Sequence, residues 1–338
     1  MKNHNNSPVE TFYSTLFSSP DTSLNYVASE WLASQVVWSV AHPVNDLVGP
    51  ESAVSDFLAP LKQALPDIER RPLIIIDGEY EGRTWFNSTG YFVGTFQSSL
   101  FGIPATGKTL FLRYTEMVCL EEGKITESYL IPDFIDAMNQ AGVNPLRNSL
   151  GHAVLILPPM SLDGVSDGAN ERSSDQAESR KSQKLVEDML ACLGRFDGKD
   201  LMTMDLESYW HDDFMWYGPS GIGTTRGIKG FRNHHQGPFV FAFPDRSVDI
   251  KLNILARGDY VATGGWPHMH GTHTGNSGWL GLAPTGKAIE LRVMDIWRRE
   301  GELLKENWVA IDIIHMLKQL GLDVFGQLKE QTEGAGYV

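Results

Sequence analysis

The densest cluster of side chains able to do chemistry lies in one stretch of the chain, residues 258–312. Three histidines stand close together there, His268, His270 and His273, and an acid, Asp295, follows them. An acid with a histidine partner is typical of general acid–base catalysis, in which positioned side chains transfer protons to and from the reacting groups. Asp295 is the predicted acid or base of such a pair.

The segment that carries Asp295 alternates as a β-strand does, over residues 287–298. Asp295 shares a face with apolar residues, namely Ile289, Leu291, Val293 and Trp297. Burial on that face would raise the pKa of the carboxyl group toward neutrality. The plainer interpretation of an acid on a strand is an exposed or salt-bridged carboxylate.

His273, inside the motif Gly-Thr-His-Thr-Gly, is the first candidate for the partner of Asp295, and His270 is the second. Glycines at 264, 265 and 271 predict a bend or bulge in this strand, which decides which histidine faces inward. The spacing from His268 to His273 also suits a zinc or iron site. No cysteine or well-spaced carboxylate completes a ligand set, so no metal is predicted.

Aromatic residues supply a possible wall for a ring-bearing ligand, although core packing is their simplest role. Those predicted to bind substrate are Trp216, Tyr217, Trp266, Trp279, Trp297 and Trp308.

A phosphate-loop pattern at Gly102-Ile-Pro-Ala-Thr-Gly107-Lys108-Thr109 is rejected on physical grounds. Such a loop must lead into a helix whose amino end holds the phosphates. The residues after Lys108 favour a strand, and Pro104 removes one backbone amide from the loop. ATP binding is therefore not expected.

The chain contains an internal repeat at a spacing of 179 residues. The motif Pro-Ala-Thr-Gly-Lys108 matches Ala-Pro-Thr-Gly-Lys287, and the same spacing pairs Glu116 with Asp295 and Asp133 with Asp312. Two homologous domains in tandem explain the match. Gly94 stands where the second copy has His273, and Tyr91 where it has His270, so the first copy is predicted to be degenerate.

Local patterns predict helices before an antiparallel sheet in each copy, an α+β arrangement. Residues 1 to about 20 are predicted to be loose, and 201–210 to be helical. A polar stretch within 146–183 predicts a linker between a first domain at 22–145 and a second at 184–325. A curved sheet wrapped by helices forms a cone with one open end, a shape that suits small ligands.

Composition limits the partners. The 338 residues carry a formal charge of -14, which disfavours a nucleic acid or an anionic membrane surface as partner. Two cysteines, the absence of a long apolar run and the polar amino terminus predict a cytoplasmic protein.

Taken together, these motifs resemble the SnoaL-like polyketide cyclase family, of the nuclear transport factor 2-like superfamily. The resemblance rests on Gly271-Thr-His-Thr-Gly275, Gly281-Leu-Ala-Pro-Thr-Gly-Lys287, Asp295 and the segment Trp308 to Asp312. It implies two cone-shaped domains, each a curved antiparallel sheet wrapped by helices. It also implies that the two halves pair as a pseudo-dimer within the chain, with a homodimer as a further option.

The resemblance implies cofactor-independent acid–base chemistry, such as aldol-type cyclisation or a related isomerisation or hydrolysis, on a small apolar, carbonyl-containing or polyketide-like molecule. Asp295 and His273 would carry it in the second domain. The alternative is a protein of the same fold that binds a small molecule without catalysis, because one fold hosts many activities.

Overall fold

The computed structural model describes residues 7–153, 155–165, 176–248 and 253–334. They divide into two compact units. The first contains residues 7–145, 162–165 and 323–334, and the second contains 146–153, 155–161, 176–248 and 253–322. The centre of the predicted linker, residues 166–175, lies outside the described residues.

The first unit begins with a helix where the sequence suggested a loose end. Helix α1 (Pro8–Ser18) is capped by Ser7, whose hydroxyl accepts the Glu10 amide at 3.2 Å. It buries one apolar face, made of Val9, Phe12, Tyr13 and Leu16. The prediction of a loose segment was wrong because the polar residues form the outer face of an amphipathic helix.

In the rest of the first unit two strands precede the second helical run, so the predicted order of helices before the sheet holds only in part. The helices are α2 (Leu24–Trp31), a helical run made of α3 (Pro50–Ala53), a π-turn (Val54–Leu58) and α4 (Ala59–Ala64), then α5 (Phe134–Ala141) and α10 (Val324–Gly334). The strands are β1 (Leu32–Val40), β2 (Asn45–Val48), β3 (Glu69–Tyr80), β4 (Arg83–Thr95), β5 (Thr109–Glu121) and β6 (Lys124–Pro132). They form one sheet in the order β2-β1-β6-β5-β4-β3.

The second unit repeats this plan. Its helices are α6 (Gln176–Leu193), then α7 (Gly227–Phe231), a π-turn (Arg232–Gln236) and α8 (Gly237–Ala242) in one run, and α9 (Ile313–Leu320). Its strands are β7 (Trp210–Tyr217), β8 (Thr225–Arg226), β9 (Ser247–Val248), β10 (Asn253–Arg257), β11 (Tyr260–Thr272), β12 (Ala288–Glu300) and β13 (Leu303–Ile311). The sheet order is β10-β11-β12-β13-β7-β8, with β9 paired to β11.

The sequence predicted antiparallel sheets, but neither sheet is wholly antiparallel. In each unit one pairing is parallel, β1 with β6 in the first and β7 with β13 in the second. A helix was predicted over residues 201–210. The structure has only two short 3₁₀ turns within 201–208, and strand β7 begins at Trp210. Aromatic residues of β7 are buried by long-range pairing, and such tertiary burial overrides local propensity.

Residues 146–161, expected in the linker, belong to the second unit. His152 exchanges two backbone hydrogen bonds with Thr224, and the Trp308 indole donates to the Leu157 carbonyl at 2.9 Å. These bonds give the segment a fixed place on the unit.

Repeat-related residues play the same structural roles in both units. Asp133 caps α5 by accepting the Asp136 amide at 2.9 Å, and Asp312 caps α9 by accepting the His315 amide at 3.1 Å. The residues after the rejected phosphate-loop pattern form strand β5, as predicted.

Candidate active site

The second unit encloses a cavity of about 470 Å³ between its sheet and its helices. That volume lies in the usual range for small-molecule sites. The lining is mainly apolar and aromatic, with contributions from the end of α6, from the run α7 to α8, and from β7, β11, β12 and β13. The polar side chains on the wall are His235, Gln236, Arg246, Ser247, His268, Asp295 and Asn307.

Strand β12 delivers Asp295 to the cavity by simple alternation. Leu291, Val293, Asp295 and Trp297 all line it, as the pattern predicted. Pairing with β13 sets Asp295 opposite Val309 and Trp297 opposite Asn307. Directly opposed residues share a face, so both strands present their cavity-facing residues in register.

The Asp295 carboxyl group is enclosed by protein, and the part of it that solvent can reach faces the cavity. Desolvation raises its pKa from the ordinary value of 3.8 to about 7, against the opposing effect of a hydrogen bond from Asn307. The Asn307 Nδ2 donates to Asp295 Oδ1 at 3.2 Å and to the Ile296 carbonyl at 3.1 Å. Asn307 therefore holds the carboxyl group in one orientation.

The structure does not bring His273 to Asp295. His273 pairs with Lys287 beyond the end of β11, eight residues along the neighbouring strand, or roughly 25 Å at the rise of an extended chain. Its ring is fully buried against Phe243 at 5.1 Å, and Nδ1 lies 3.3 Å from Thr285 Oγ1. His273 thus anchors the loop that leads into β12.

His270 also lies outside the cavity lining. It pairs with Glu290 on the opposite face of the sheet, its side chain is 45% exposed, and its Nδ1 lies 4.0 Å from a Glu290 carboxylate oxygen. The predicted bulge is present, between Gly265 and Met269. At the bulge, three residues of β11 lie opposite one residue of β12. His268, the last of the three, is the histidine that lines the cavity.

A second histidine, which the sequence analysis did not select, also lines the cavity. His235 sits in the π-turn between α7 and α8 and stacks on Trp216, with ring centroids 4.1 Å apart. Burial lowers its pKa to about 3, so the imidazole is neutral at pH 7. Its Nδ1 is buried without a hydrogen-bond partner among the described residues.

A chain of contacts links His235 to Asp295. Trp216, under the His235 ring, is paired with Asn307, which contacts Asp295. His235 and Asp295 both line the cavity. In the sequence His234 and His235 end a helix-like segment, and a favourable interaction with the helix dipole was at least as good an explanation for them as a ligand contact.

Two of the six predicted aromatic wall residues line the cavity, Trp216 and Trp297. The others pack outside it. Tyr217 stacks on Trp308 at 5.2 Å, Trp266 lies under Arg292 at 4.4 Å, and Trp279 packs on Phe243 at 5.7 Å. Aromatic residues that line the cavity but were not selected are Phe196, Trp210, Phe231 and Phe239.

The equivalent of this site in the first unit is filled. Glu116, the repeat partner of Asp295, accepts hydrogen bonds from the Tyr13 hydroxyl at 2.6 Å and from Ser128 at 3.1 Å, and it pairs with Arg70 at 2.8 Å. Burial raises the pKa of Glu116, and these donors oppose that rise. The space left beside it is about 10 Å³, room for at most one water.

A comparison with known protein families covers both units. The sequence profile described as SnoaL-like polyketide cyclase matches residues 8–141 and 189–320, one stretch in each unit and together more than half of the chain. The chain belongs to the SnoaL-like polyketide cyclase family. Two tandem SnoaL-like domains account for the repeat, and both have the α+β fold expected from the sequence.

Solved structures similar to the chain match a single domain's length. IdmH from Streptomyces antibioticus, a candidate polyketide cyclase, is 28% identical over 40% of this chain and 98% of its own, with a TM-score of 0.32. AclR from Streptomyces galilaeus is 23% identical over 42% of this chain and 97% of its own, with a TM-score of 0.34. A nuclear transport factor 2-like protein from Burkholderia xenovorans is 17% identical over 42% of this chain and 98% of its own, with a TM-score of 0.33.

No curated protein matches the chain significantly. Among the described residues, no helix has both the length and the apolar composition needed to cross a bilayer. Within the same part of the chain, no group of three or more His, Cys, Asp or Glu side chains is arranged to hold a metal ion.

Proposed function

We propose that the second SnoaL-like domain is a cofactor-independent acid–base enzyme acting on a small, apolar, carbonyl-containing molecule. The observation that carries this proposal is the carboxyl group of Asp295, which faces an apolar cavity and has a pKa of about 7. A base with a pKa near the working pH is half ionised there and still strong enough to remove a proton from carbon. A carboxylate that is exposed, or that has only a structural role, does not require a position facing an apolar cavity.

In this proposal Asp295 removes a proton from the carbon beside a carbonyl, and the electron pair moves onto the carbonyl oxygen. The neutral imidazole of His235, in the tautomer with its proton on Nε2, donates a hydrogen bond to that oxyanion. His235 replaces His273 and His270 as the proposed partner, since it lines the same cavity as Asp295. Asn307 keeps the Asp295 oxygen oriented toward the substrate.

An enolate formed in this way can attack a second carbonyl of the same molecule, which forms a carbon–carbon bond and closes a ring. The proton held by Asp295 then returns to the new alkoxide, so the carboxylate is regenerated and no other reactant is consumed. The apolar walls, including Trp216 and Trp297, exclude water from the enolate. The family supports this reaction class, and isomerisation through the same enolate needs the same groups.

We propose further that the first domain is not catalytic. Its acid, Glu116, is engaged by Tyr13, Arg70 and Ser128, and the space that the described residues leave beside it, about 10 Å³, is too small for a substrate.

The test is deuterium exchange at the carbon beside the carbonyl of β-tetralone, followed by NMR in heavy water. Exchange catalysed by the wild-type protein should rise through a midpoint near pH 7, as Asp295 loses its proton. Asp295→Asn should remove it, whereas Asp212→Asn, a change at an exposed acid on β7, should leave it unchanged. Equal exchange by wild type and Asp295→Asn would exclude Asp295 as the base.

Binding of β-tetralone without any exchange would favour the alternative, a ligand-binding protein with the same fold. The aromatic and aliphatic lining of the cavity alone is sufficient for that role.

A further inference from the structure

One charged side chain of the cavity has no part in the proposed chemistry. Arg246 lies between α8 and β9, and it is one of the residues that line the cavity. Its Nη2 donates to the Leu193 carbonyl at 3.0 Å and lies 3.6 Å from the Met204 sulfur. Its guanidinium carbon stands 5.3 Å from the centre of the Phe196 ring. These contacts fix the position of the group.

Arg246 is half-buried and, within the described ranges, has no acidic partner. The other buried arginines of the second unit are paired. Arg298 contacts Glu306 at 2.5 Å, and Arg299 contacts Asp259 at 2.6 Å. Burial lowers the pKa of Arg246, and no carboxylate opposes that effect. A half-buried cation without a counter-ion is costly, so a site of this kind favours an anionic ligand.

Arg246 and Asp295 mark two different ends of the cavity. Val248, two residues after Arg246, is paired with Met269, which is paired with Leu291. Leu291 lies four residues before Asp295 on β12, roughly 13 Å along the strand. One elongated molecule can therefore reach both groups.

We propose that the cavity takes an amphipathic molecule whose carboxylate pairs with Arg246, while its apolar, carbonyl-bearing body extends to Asp295. This inference rests on the proposed function, and it adds the charge and the orientation of the substrate. A monoanion fits better than a phosphate ester, because Arg246 is the only Lys or Arg among the described lining residues. Among the described residues only Nη2 of Arg246 is engaged, so other N–H groups of the guanidinium can donate charge-assisted hydrogen bonds to a carboxylate.

A matched pair of fluorescent ligands distinguishes the effect of a ligand's negative charge on binding from the effect of its apolar rings. Anilinonaphthalenesulfonate carries one negative charge, and N-phenylnaphthylamine has the same rings without it. Both would be titrated into the full chain, wild type and three variants. Arg246→Gln removes the charge, Arg246→Lys keeps it, and Arg226→Gln makes the same change at an exposed arginine of this unit that pairs with Asp213 at 3.5 Å.

Arg246→Gln should weaken binding of the sulfonate about ten-fold to a hundred-fold, the usual effect of losing a charge-assisted hydrogen bond. Binding of N-phenylnaphthylamine should change less than about two-fold, which also shows that the cavity is intact. Arg246→Lys should retain part of the preference for the sulfonate, and Arg226→Gln should leave both affinities unchanged.

Two results would overturn the inference in distinguishable ways. If Arg246→Gln weakens both ligands equally, or neither, Arg246 does not select an anion, although the cavity and the proposed enzyme stand. If wild type binds neither ligand, the cavity is not a site for apolar molecules, and the proposed function fails with the inference.

Discussion

Asp295→Asn tests the buried acid through stability, without any knowledge of the substrate. A carboxyl group whose pKa rises from 3.8 in the unfolded chain to about 7 in the folded one binds its proton more tightly when folded. Between these two values the folded state holds more protons than the unfolded state, so the free energy of unfolding falls as the pH rises. Below about pH 4 the penalty is absent, and above about pH 7 it is complete.

The magnitude follows from the shift. About three pH units at 1.36 kcal/mol each give about 4 kcal/mol, an upper value because the cavity face of Asp295 still meets solvent. Asparagine has nearly the same shape, keeps an acceptor for the Asn307 Nδ2 and carries no charge. Asp295→Asn should therefore raise the free energy of unfolding by about 2 to 4 kcal/mol at about pH 8, and by less than about 1 kcal/mol at about pH 4.

The assay is urea unfolding followed by tryptophan fluorescence across that pH range. Most of the nine tryptophans lie in the second unit, so the signal reports mainly on it. Asp212→Asn supplies the control, because that acid is exposed on β7 and its loss should not change the pH dependence. A difference between wild type and Asp295→Asn that stays constant with pH, or that has the opposite sign, would refute the raised pKa and with it the proposed base.

Two further predictions each compare a residue that packs inside its unit with an exposed residue next to it in the sequence. His235→Asn should slow β-tetralone exchange about 100-fold, the usual effect of losing an oxyanion donor, whereas His234→Asn, at the exposed residue beside it, should have no effect. Equal rates for the two variants would remove His235 from the mechanism. In the first unit, Arg70→Met should lower the free energy of unfolding by about 3 to 5 kcal/mol, because it leaves the buried carboxyl groups of Glu10 and Glu116 without their cation. Arg71→Met, at an exposed arginine paired with exposed Glu69, should lower it by less than about 1 kcal/mol in the same urea titration. Similar losses for both would contradict the buried pairing of Arg70.

Several features of the protein could be derived from its sequence because they depend on short-range patterns or on the repeat. Alternation along β12 was sufficient to place Asp295 on the same face as Leu291 and Trp297. The caps of α5 and α9, at Asp133 and Asp312, follow from local backbone chemistry. The repeat gave two domains of one fold, and with them Glu116 as the counterpart of Asp295.

The choice of histidine could not be made from the sequence, because it depends on how distant segments pair and pack. The bulge after Gly265 was foreseen, but its register against β12 decides that His268 reaches the cavity and that His270 faces outward. His235 reaches the cavity only because the run α7 to α8 packs over β7, a strand that local propensity failed to predict.

Local sequence thus determined which residues share a strand face, since alternation is a property of the extended backbone itself. Only the tertiary structure decided which side chains surround Asp295, and how strongly burial raises its pKa, because both depend on contacts between segments far apart in the chain.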